Sequence, residues 1–397
     1  MTIKDLLKLS QKETKHIIGL MSGTSLDGID AVLIRVKGNS TKTEIKQLGF
    51  ATYPFPAKMK EMMLRNVEYK GGNVTEICKL NFLISHAYVR AIKKLCTKLN
   101  FAINKVDLVG SHGQTVHHLP KPESDFGFRT GSTMQIGDPA VIAKLTGITT
   151  IGDFRTGDVA LGGEGAPLVP YFDYIMFSSD KVNRGLLNIG GISNITILKK
   201  GGKAKNVFGF DTGPGNMLID SLMRKYFNKE YDKDSRIAFK GKINGNLLKK
   251  LIGTDIFLKQ KPPKSSGREY FGKYFLPDIL NEFNTIPRED FISTVTEYTA
   301  YSVHYNYKKF IEKRIKINEL FVSGGGAHNP MIMMSLQRYF GDMIKVKKVG
   351  LLGIDSDAKE AICFAVLANE TLSGNPANIP LVTGAIRETI LGKICLP

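Results

Sequence analysis

The chain has 397 residues, of which 42% are hydrophobic and 23% charged; this is ordinary globular usage, which excludes a small disulfide-stapled module, a disordered chain and a bundle of membrane spans. Its 55 Lys and Arg outnumber 37 Asp and Glu, giving a formal charge of +18. The basic residues fall in short scattered groups such as Lys199-Lys200, Lys249-Lys250, Lys308-Lys309 and Lys347-Lys348, the pattern of a solvated surface, so neither nucleic acid nor a membrane is expected as a partner.

The length corresponds to two or three domains of roughly 100–200 residues. Cys78, Cys96, Cys363 and Cys395 lie far apart with no Cys-x-x-Cys pair, and residues 1–15 lack a signal-peptide core; a reducing, cytoplasmic setting is expected.

In chain order, His16 to Met21 reads as a short buried strand that breaks at a Ser/Gly/Thr turn. Ile29 to Val36 reads as the returning strand and Gln47 to Tyr53 as a third, the opening of a mixed-sheet domain. Leu80, Ile84, Ala87, Ala91 and Leu95 then fall on one face of a long helix over Val74–Leu99. Val106 to Gly110 is strand-like and runs into the polar cluster Ser111-His112-Gly113-Gln114-Thr115, and the end of a buried strand is where open α/β sheets place ligands. A second pass of the same pattern begins near Gly185: strands at Leu186–Gly191, Ile195–Leu198 and Ala204–Phe210, then helices. The pattern predicts two related sheet-plus-helix halves. Farther on, Thr294–Arg314 reads as a helix with Tyr298, Tyr301 and Tyr305 as core packing, Leu320–Ser323 as a strand, and Asp357–Glu370 as an Ala-rich helix.

Five segments can carry chemistry. Gly23 to Asp30 is a turn whose backbone N–H groups and Thr24 and Ser25 hydroxyls could cradle an anion, or simply a hairpin turn. Asn188 to Asn194 and Ser323 to Asn329 are glycine turns at strand ends, and three such turns in order favour a bound nucleotide. No G-x-x-x-x-G-K-[ST] and no helix-opening G-x-G-x-x-G occurs, which excludes the common phosphate-loop and dinucleotide fingerprints. Asp211, in Asp211-Thr212-Gly213-Pro214-Gly215-Asn216, either caps the following helix or accepts a proton from a nucleophile. The Asp153–Pro170 segment is too polar and glycine-rich for core, and Arg155 could grip a carboxylate or phosphate. His112, His117 and His118 have no third ligand at metal-site spacing.

Together these motifs, with Gln135-Ile136-Gly137-Asp138-Pro139 and Lys264-Ser265-Ser266-Gly267-Arg268-Glu269, resemble the anhydro-N-acetylmuramic acid kinase family, within the broader group of sugar kinases, actin and Hsp70-type ATPases, from about His16 to Pro397. The resemblance implies an α/β chain of two ribonuclease-H-like domains, mixed sheets flanked by helices, with ATP and sugar in the interdomain cleft. Domain I would take 1–152 plus 378–397, with the first phosphate turn and sugar contacts; domain II would take 153–377, with the second phosphate turn, the catalytic Asp and the adenosine-binding turn. The implied reaction is ATP-dependent: water opens the 1,6-anhydro ring of 1,6-anhydro-N-acetylmuramic acid and O6 takes the γ-phosphoryl group.

Asp211 matches the family's general base. Gly23, Thr24, Ser25, Leu26, Asp27, Gly28, Ile29 and Asp30, then Gly190, Gly191 and Ser193, and then Gly324, Gly325, Gly326 and Asn329 match its ATP-binding turns. His112, Thr115, Asp153, Arg155 and Glu360 are the candidate sugar contacts. Mg²⁺ is expected with the ATP, its protein ligands unknown, since Met21 stands where the superfamily usually carries an Asp. Many members have Arg where this chain has Thr156-Gly157 and His where it has Asp173, which leaves a kinase for a related anhydrosugar such as levoglucosan as the alternative, ahead of a non-kinase ATPase module. A homodimer is the expected assembly.

Overall fold

The computed structural model describes residues 2–23, 26, 28–67, 71–262, 264, 266, 270–271, 275–352, 354–355 and 357–397. Its strands are Thr14–Ser22 (β1), Ile29–Lys37 (β2), Glu44–Tyr53 (β3), Leu108–Asp125 (β4), Phe128–Ile136 (β5), Thr150–Gly152 (β6), Arg184–Ile189 (β7), Ile192–Leu198 (β8), Phe208–Pro214 (β9), Glu319–Ser323 (β10), Lys345–Lys348 (β11) and Lys393–Cys395 (β12). They form two sheets, ordered β12-β6-β4-β1-β2-β3 with β5 on β4, and β11-β10-β7-β8-β9. The runs β3-β2-β1-β4-β6 and β9-β8-β7-β10-β11 share one plan. In each, three strands meander antiparallel and two more join in parallel after helical crossovers. The repeat read from the sequence pattern is therefore a repeat of topology.

Contacts divide the chain into unit 1, Met1–Met176 with Asp357–Pro397, and unit 2, Phe177–Ser356. The boundaries fall at 176/177 and 356/357, not at the expected 152/153 and 377/378. Two helices account for the difference, because Val169–Phe177, all but its last residue in unit 1, is tied to Lys359–Leu372. Tyr171 Oη donates to Glu370 at 3.3 Å, and Lys359 Nζ meets Asp173 at 2.7 Å with both side chains buried.

In unit 1 the 74–98 helix forms as its periodicity predicts. Asn73 caps it by accepting from Glu76 N–H, and Leu80, Ile84, Ala91 and Leu95 are buried against β1 and β2. The Lys359–Leu372 helix covers the sheet at closer range, because Gly19 and Gly110 are paired neighbours on β1 and β4. A Cβ on Gly19 would lie 1.9 Å from Ala361 O, and one on Gly110 2.2 Å from Phe364 O. Only glycine lets the helix backbone settle there, and that seat fixes the position of Glu360 at the helix start.

In unit 2 a second core gathers Leu187, Ile195, Ile197, Leu218, Leu222, Ile292, Val295, Leu320 and Val322. The third strand of this sheet is β9, after a short turn at Ala204–Asn206, rather than the expected 204–210. The expected 294–314 helix runs Arg288–Asn306 and widens into a π turn at Tyr307–Ile311. Of its tyrosine stripe only Tyr298 is fully buried; Tyr301 and Tyr305 are half-buried.

Candidate active site

In unit 2 the glycine turn at Gly190-Gly191, the 211–216 turn and the 324–326 turn meet at one end of the sheet. Gly215 N–H donates to Gly191 O and Asn216 N–H to Gly190 O, both at 2.8 Å, and the Asn216 amide donates to the carbonyls of Ile189 and Gly190. A Cβ on Gly215 would stand 2.2 Å from Gly190 O, so this junction admits no side chain. Gly324 has φ +79° and lies against Asn188, while Gly326 packs on Ile189.

Two expected nucleotide contacts in this unit have other duties. The Ser193 hydroxyl is buried and donates to Pro214 O, and Ser193 O accepts from Thr212. Asn329 caps the Pro330–Phe340 helix, accepting from Ile332 N–H at 3.0 Å and from Ser235 Oγ at 2.6 Å. Their side chains shape the turns.

Asp211 does not cap the helix that follows: that helix begins at Met217 with Asn216 at its cap position and no capping side chain. The carboxylate accepts instead from Ser266 N–H at 2.8 Å, and Asp211 N–H donates to Lys264 O at 3.2 Å. From the other side the Arg288–Asn306 helix grips the turn: Thr299 Oγ1 donates to Gly215 O at 3.0 Å and the Asn306 amide to Thr212 O at 2.8 Å. A carboxylate whose backbone is fixed on both sides is built to present one orientation. Sequence reasoning missed Thr299 and Asn306; their spacing of seven on one helix, facing a glycine turn, is the signal that could have found them.

In unit 1, the 111–115 cluster is not a loop beyond a strand end. β4 continues through it to pair with β5, kinking at Gly113 (φ +75°), where the register against β1 shifts between Leu20 and Ser22. The kink turns His112 toward Arg155. Arg155 Nε and Nη2 donate to His112 Nε2 at 3.0 and 2.9 Å, and Nη1 donates to Gly165 O at 2.8 Å. Because a guanidinium only donates, Nε2 is the acceptor and Nδ1–H donates to Gly113 O at 2.8 Å. Burial, reinforced by the adjacent Arg155 charge, pushes the imidazole far below its usual range, so it is neutral.

Glu360 joins this group electrostatically. Its surface is open to solvent, yet crowding by protein atoms raises its carboxyl above the usual range; Asp30 adds to that, while Lys359 and Arg155 oppose it. Lys359 is itself paired with Asp173, whose carboxyl burial raises and Lys359 lowers. That pair was missed as a unit, since its members lie 186 positions apart in sequence. Thr115 Oγ1 accepts from the Gln135 amide at 3.3 Å. The Asp153 carboxylate is engaged by Thr156 and Lys393.

The first turn is described in part. Leu26 (φ +56°) and Ile29 are core side chains, and Gly28 makes room for β3, since a Cβ there would lie 2.8 Å from Tyr53 O. Asp30 accepts from Thr52 Oγ1 at 2.6 Å, and Gly23 O accepts from Leu26 N–H and the Gln114 amide. Thr24, Ser25 and Asp27, like Ser265, Gly267, Arg268 and Glu269 of the later motif, lie outside the described residues. Among the described residues no three His, Cys, Asp or Glu side chains come together to hold a metal ion.

Comparison with known proteins adds to this geometry. Residues 15–397 match the family model described as anhydro-N-acetylmuramic acid kinase. The chain is 43% identical over 395 residues to the anhydro-N-acetylmuramic acid kinase of Caldanaerobacter subterraneus subsp. tengcongensis, across 98% of this chain and 99% of that one. It is 44% identical over 379 residues to that of Clostridioides difficile, across 96% and 98%. Among solved structures, the activator of the 2-hydroxyisocaproyl-CoA dehydratase from Clostridium difficile with bound ADPNP aligns with 90% of this chain and 96% of its own, at 14% identity and a TM-score of 0.44.

Proposed function

Because the chain belongs to the anhydro-N-acetylmuramic acid kinase family, we propose that unit 2 handles ATP and the proton transfer while unit 1 recognises the sugar. The protein is a kinase, a phosphotransferase that uses ATP and acts on a small-molecule sugar. Asp211 is the general base. It takes a proton from water as the water oxygen bonds to C1 of 1,6-anhydro-N-acetylmuramic acid; the C1–O6 bond breaks, and O6 attacks the γ-phosphorus as the bond to the β-phosphate oxygen opens. The products are N-acetylmuramic acid 6-phosphate and ADP. The observation that carries this reading is the double fixing of the Asp211 turn, by Ser266 N–H on the carboxylate and by Thr299 and Asn306 on the carbonyls.

The Gly190-Gly191 and Gly324–Gly326 turns offer backbone N–H groups to the nucleotide, with Ser193 and Asn329 holding their shape. Arg155 supplies positive charge for the lactyl carboxylate, and neutral His112 and Glu360 complete the polar lining. Mg²⁺ neutralises phosphate charge when bound. Among the described residues no cluster of three His, Cys, Asp or Glu side chains forms a cage, so the ion would be held by the ATP phosphates, water or single carboxylates. The same reading makes the enzyme a cytoplasmic homodimer that acts on small molecules and not on nucleic acid; its four free cysteines support a reducing setting.

A coupled assay of ADP release with ATP and 1,6-anhydro-N-acetylmuramic acid tests the function. Sugar-dependent release is expected, and ADP release that ignores the sugar would contradict it.

A further inference from the structure

Lys264 is a buried cation that the mechanism leaves unused. The residue is only 9% exposed. The ammonium donates to Phe257 O at 3.1 Å and Leu258 O at 3.4 Å. Three rings surround it, with centroids 4.6 Å (Phe257), 5.2 Å (Phe310) and 5.9 Å (Phe210) away. A lysine that only needed solubility would not be held this way, because enclosing an ammonium costs several kcal/mol before its contacts compensate.

The backbone of the same residue is one of the two groups that fix Asp211. Lys264 O receives the Asp211 N–H, and two residues later Ser266 N–H donates to the Asp211 carboxylate. We propose that Lys264 is a positioning residue for the phosphoryl-transfer reaction: the caged ammonium anchors the Lys264 carbonyl that receives the Asp211 N–H, and so helps to set the orientation of the Asp211 carboxylate. The inference rests on the reading of Asp211 as the base and adds what holds it. The ammonium also favours the ionised carboxylate, the form a base requires.

The charged groups facing Lys264 are Asp255, ahead of the Ile256–Lys259 helix, Asp211 on β9 and Lys309 in the π turn. Burial outweighs the two carboxylates and lowers the ammonium to about 8. Near that pH the wild-type enzyme loses the charge that assists Asp211, and turnover declines on the alkaline side.

The test measures kcat and both KM values against pH for wild type, Lys264→Met, Lys264→Arg and Asp211→Asn, with ATP and 1,6-anhydro-N-acetylmuramic acid. Lys264→Met is expected to lower kcat by ~10–100-fold with KM for ATP and sugar within about 3-fold, and to move the acidic limb to higher pH. Lys264→Arg, which keeps its charge, is expected to restore much of kcat and to remove the decline near pH 8. Wild-type kcat and an unmoved profile in Lys264→Met, or a loss confined to KM, would overturn the assignment. If Lys264→Met does not fold, the Lys264→Arg profile decides: an alkaline decline unchanged from wild type overturns it. Full activity in Asp211→Asn would overturn the reading of the base, whereas an inactive Asp211→Asn beside a wild-type-like Lys264→Met would overturn the role of Lys264 alone.

Discussion

The two sheets share one strand plan, yet the ends that carry the candidate sites are built from different materials. In unit 2 the end is backbone against backbone: the 190–191, 211–216 and 324–326 turns interlock through carbonyls and N–H groups, and Gly215, Gly324 and Gly326 leave no room for a Cβ. In unit 1 the corresponding end is a group of ionisable side chains, His112, Arg155, Glu360 and Asp30, supported by the Lys359–Asp173 pair. Under the proposed function the difference follows from what each half would bind. Phosphates are recognised by ordered N–H groups and need a rigid frame, whereas a sugar with hydroxyl and carboxylate groups needs side chains with separate charges and hydrogen-bond roles.

Substitutions in each half can break this contrast. The largest effect is expected for Lys359→Met, which strands the buried Asp173 carboxylate and should cost about 3 kcal/mol of stability. The loss should shrink as pH falls, because burial already raises the Asp173 carboxyl and protonation relieves it; urea melts at two pH values measure this. Gly215→Ala is the counterpart in unit 2. With Gly190 O only 2.2 Å from the new Cβ, it should cost about 2 kcal/mol and raise KM for ATP far more than KM for sugar. An unchanged KM for ATP would show that the rigid frame is not the nucleotide's seat.

Smaller effects sharpen the picture. Glu360→Gln should raise KM for the sugar by about 10-fold and flatten its pH dependence on the acid side, because the carboxyl it replaces takes up its proton at a pH above the usual carboxylic range. Ser193→Ala removes one buried hydrogen bond to Pro214 O and should cost about 1 kcal/mol, read from thermal melts, with kcat nearly unchanged.

The sequence made local order legible where one period dominated. The 74–98 helix followed from the steps between Leu80, Ile84, Ala87, Ala91 and Leu95, and the glycine turns of unit 2 followed from their place after apolar strands. It failed where a tertiary neighbour decides. Gly23–Asp30 read as an anion cradle or a hairpin turn, and nothing local announced that a left-handed backbone at Leu26 directs that side chain into the core or that Gly28 makes room for β3. Ser111–Thr115 looked like a strand end because nothing local announces that β5 will extend the sheet beyond it. The domain boundaries shifted for the same reason: the partners of Tyr171 and Asp173 are Glu370 and Lys359, almost two hundred residues away. Lys264 stood in a visible motif, but only packing shows that its ammonium lies under three rings.

The most direct test of the account is a single-turnover measurement of N-acetylmuramic acid 6-phosphate formation by Asp211→Asn, with ATP binding measured on the same sample. The amide keeps the shape of the side chain that Ser266 N–H and the Lys264 backbone hold, but it cannot take a proton. Product formation slowed by about 10³-fold, with ATP affinity within a few-fold of wild type, is the predicted result. Product formed at the wild-type rate would contradict it.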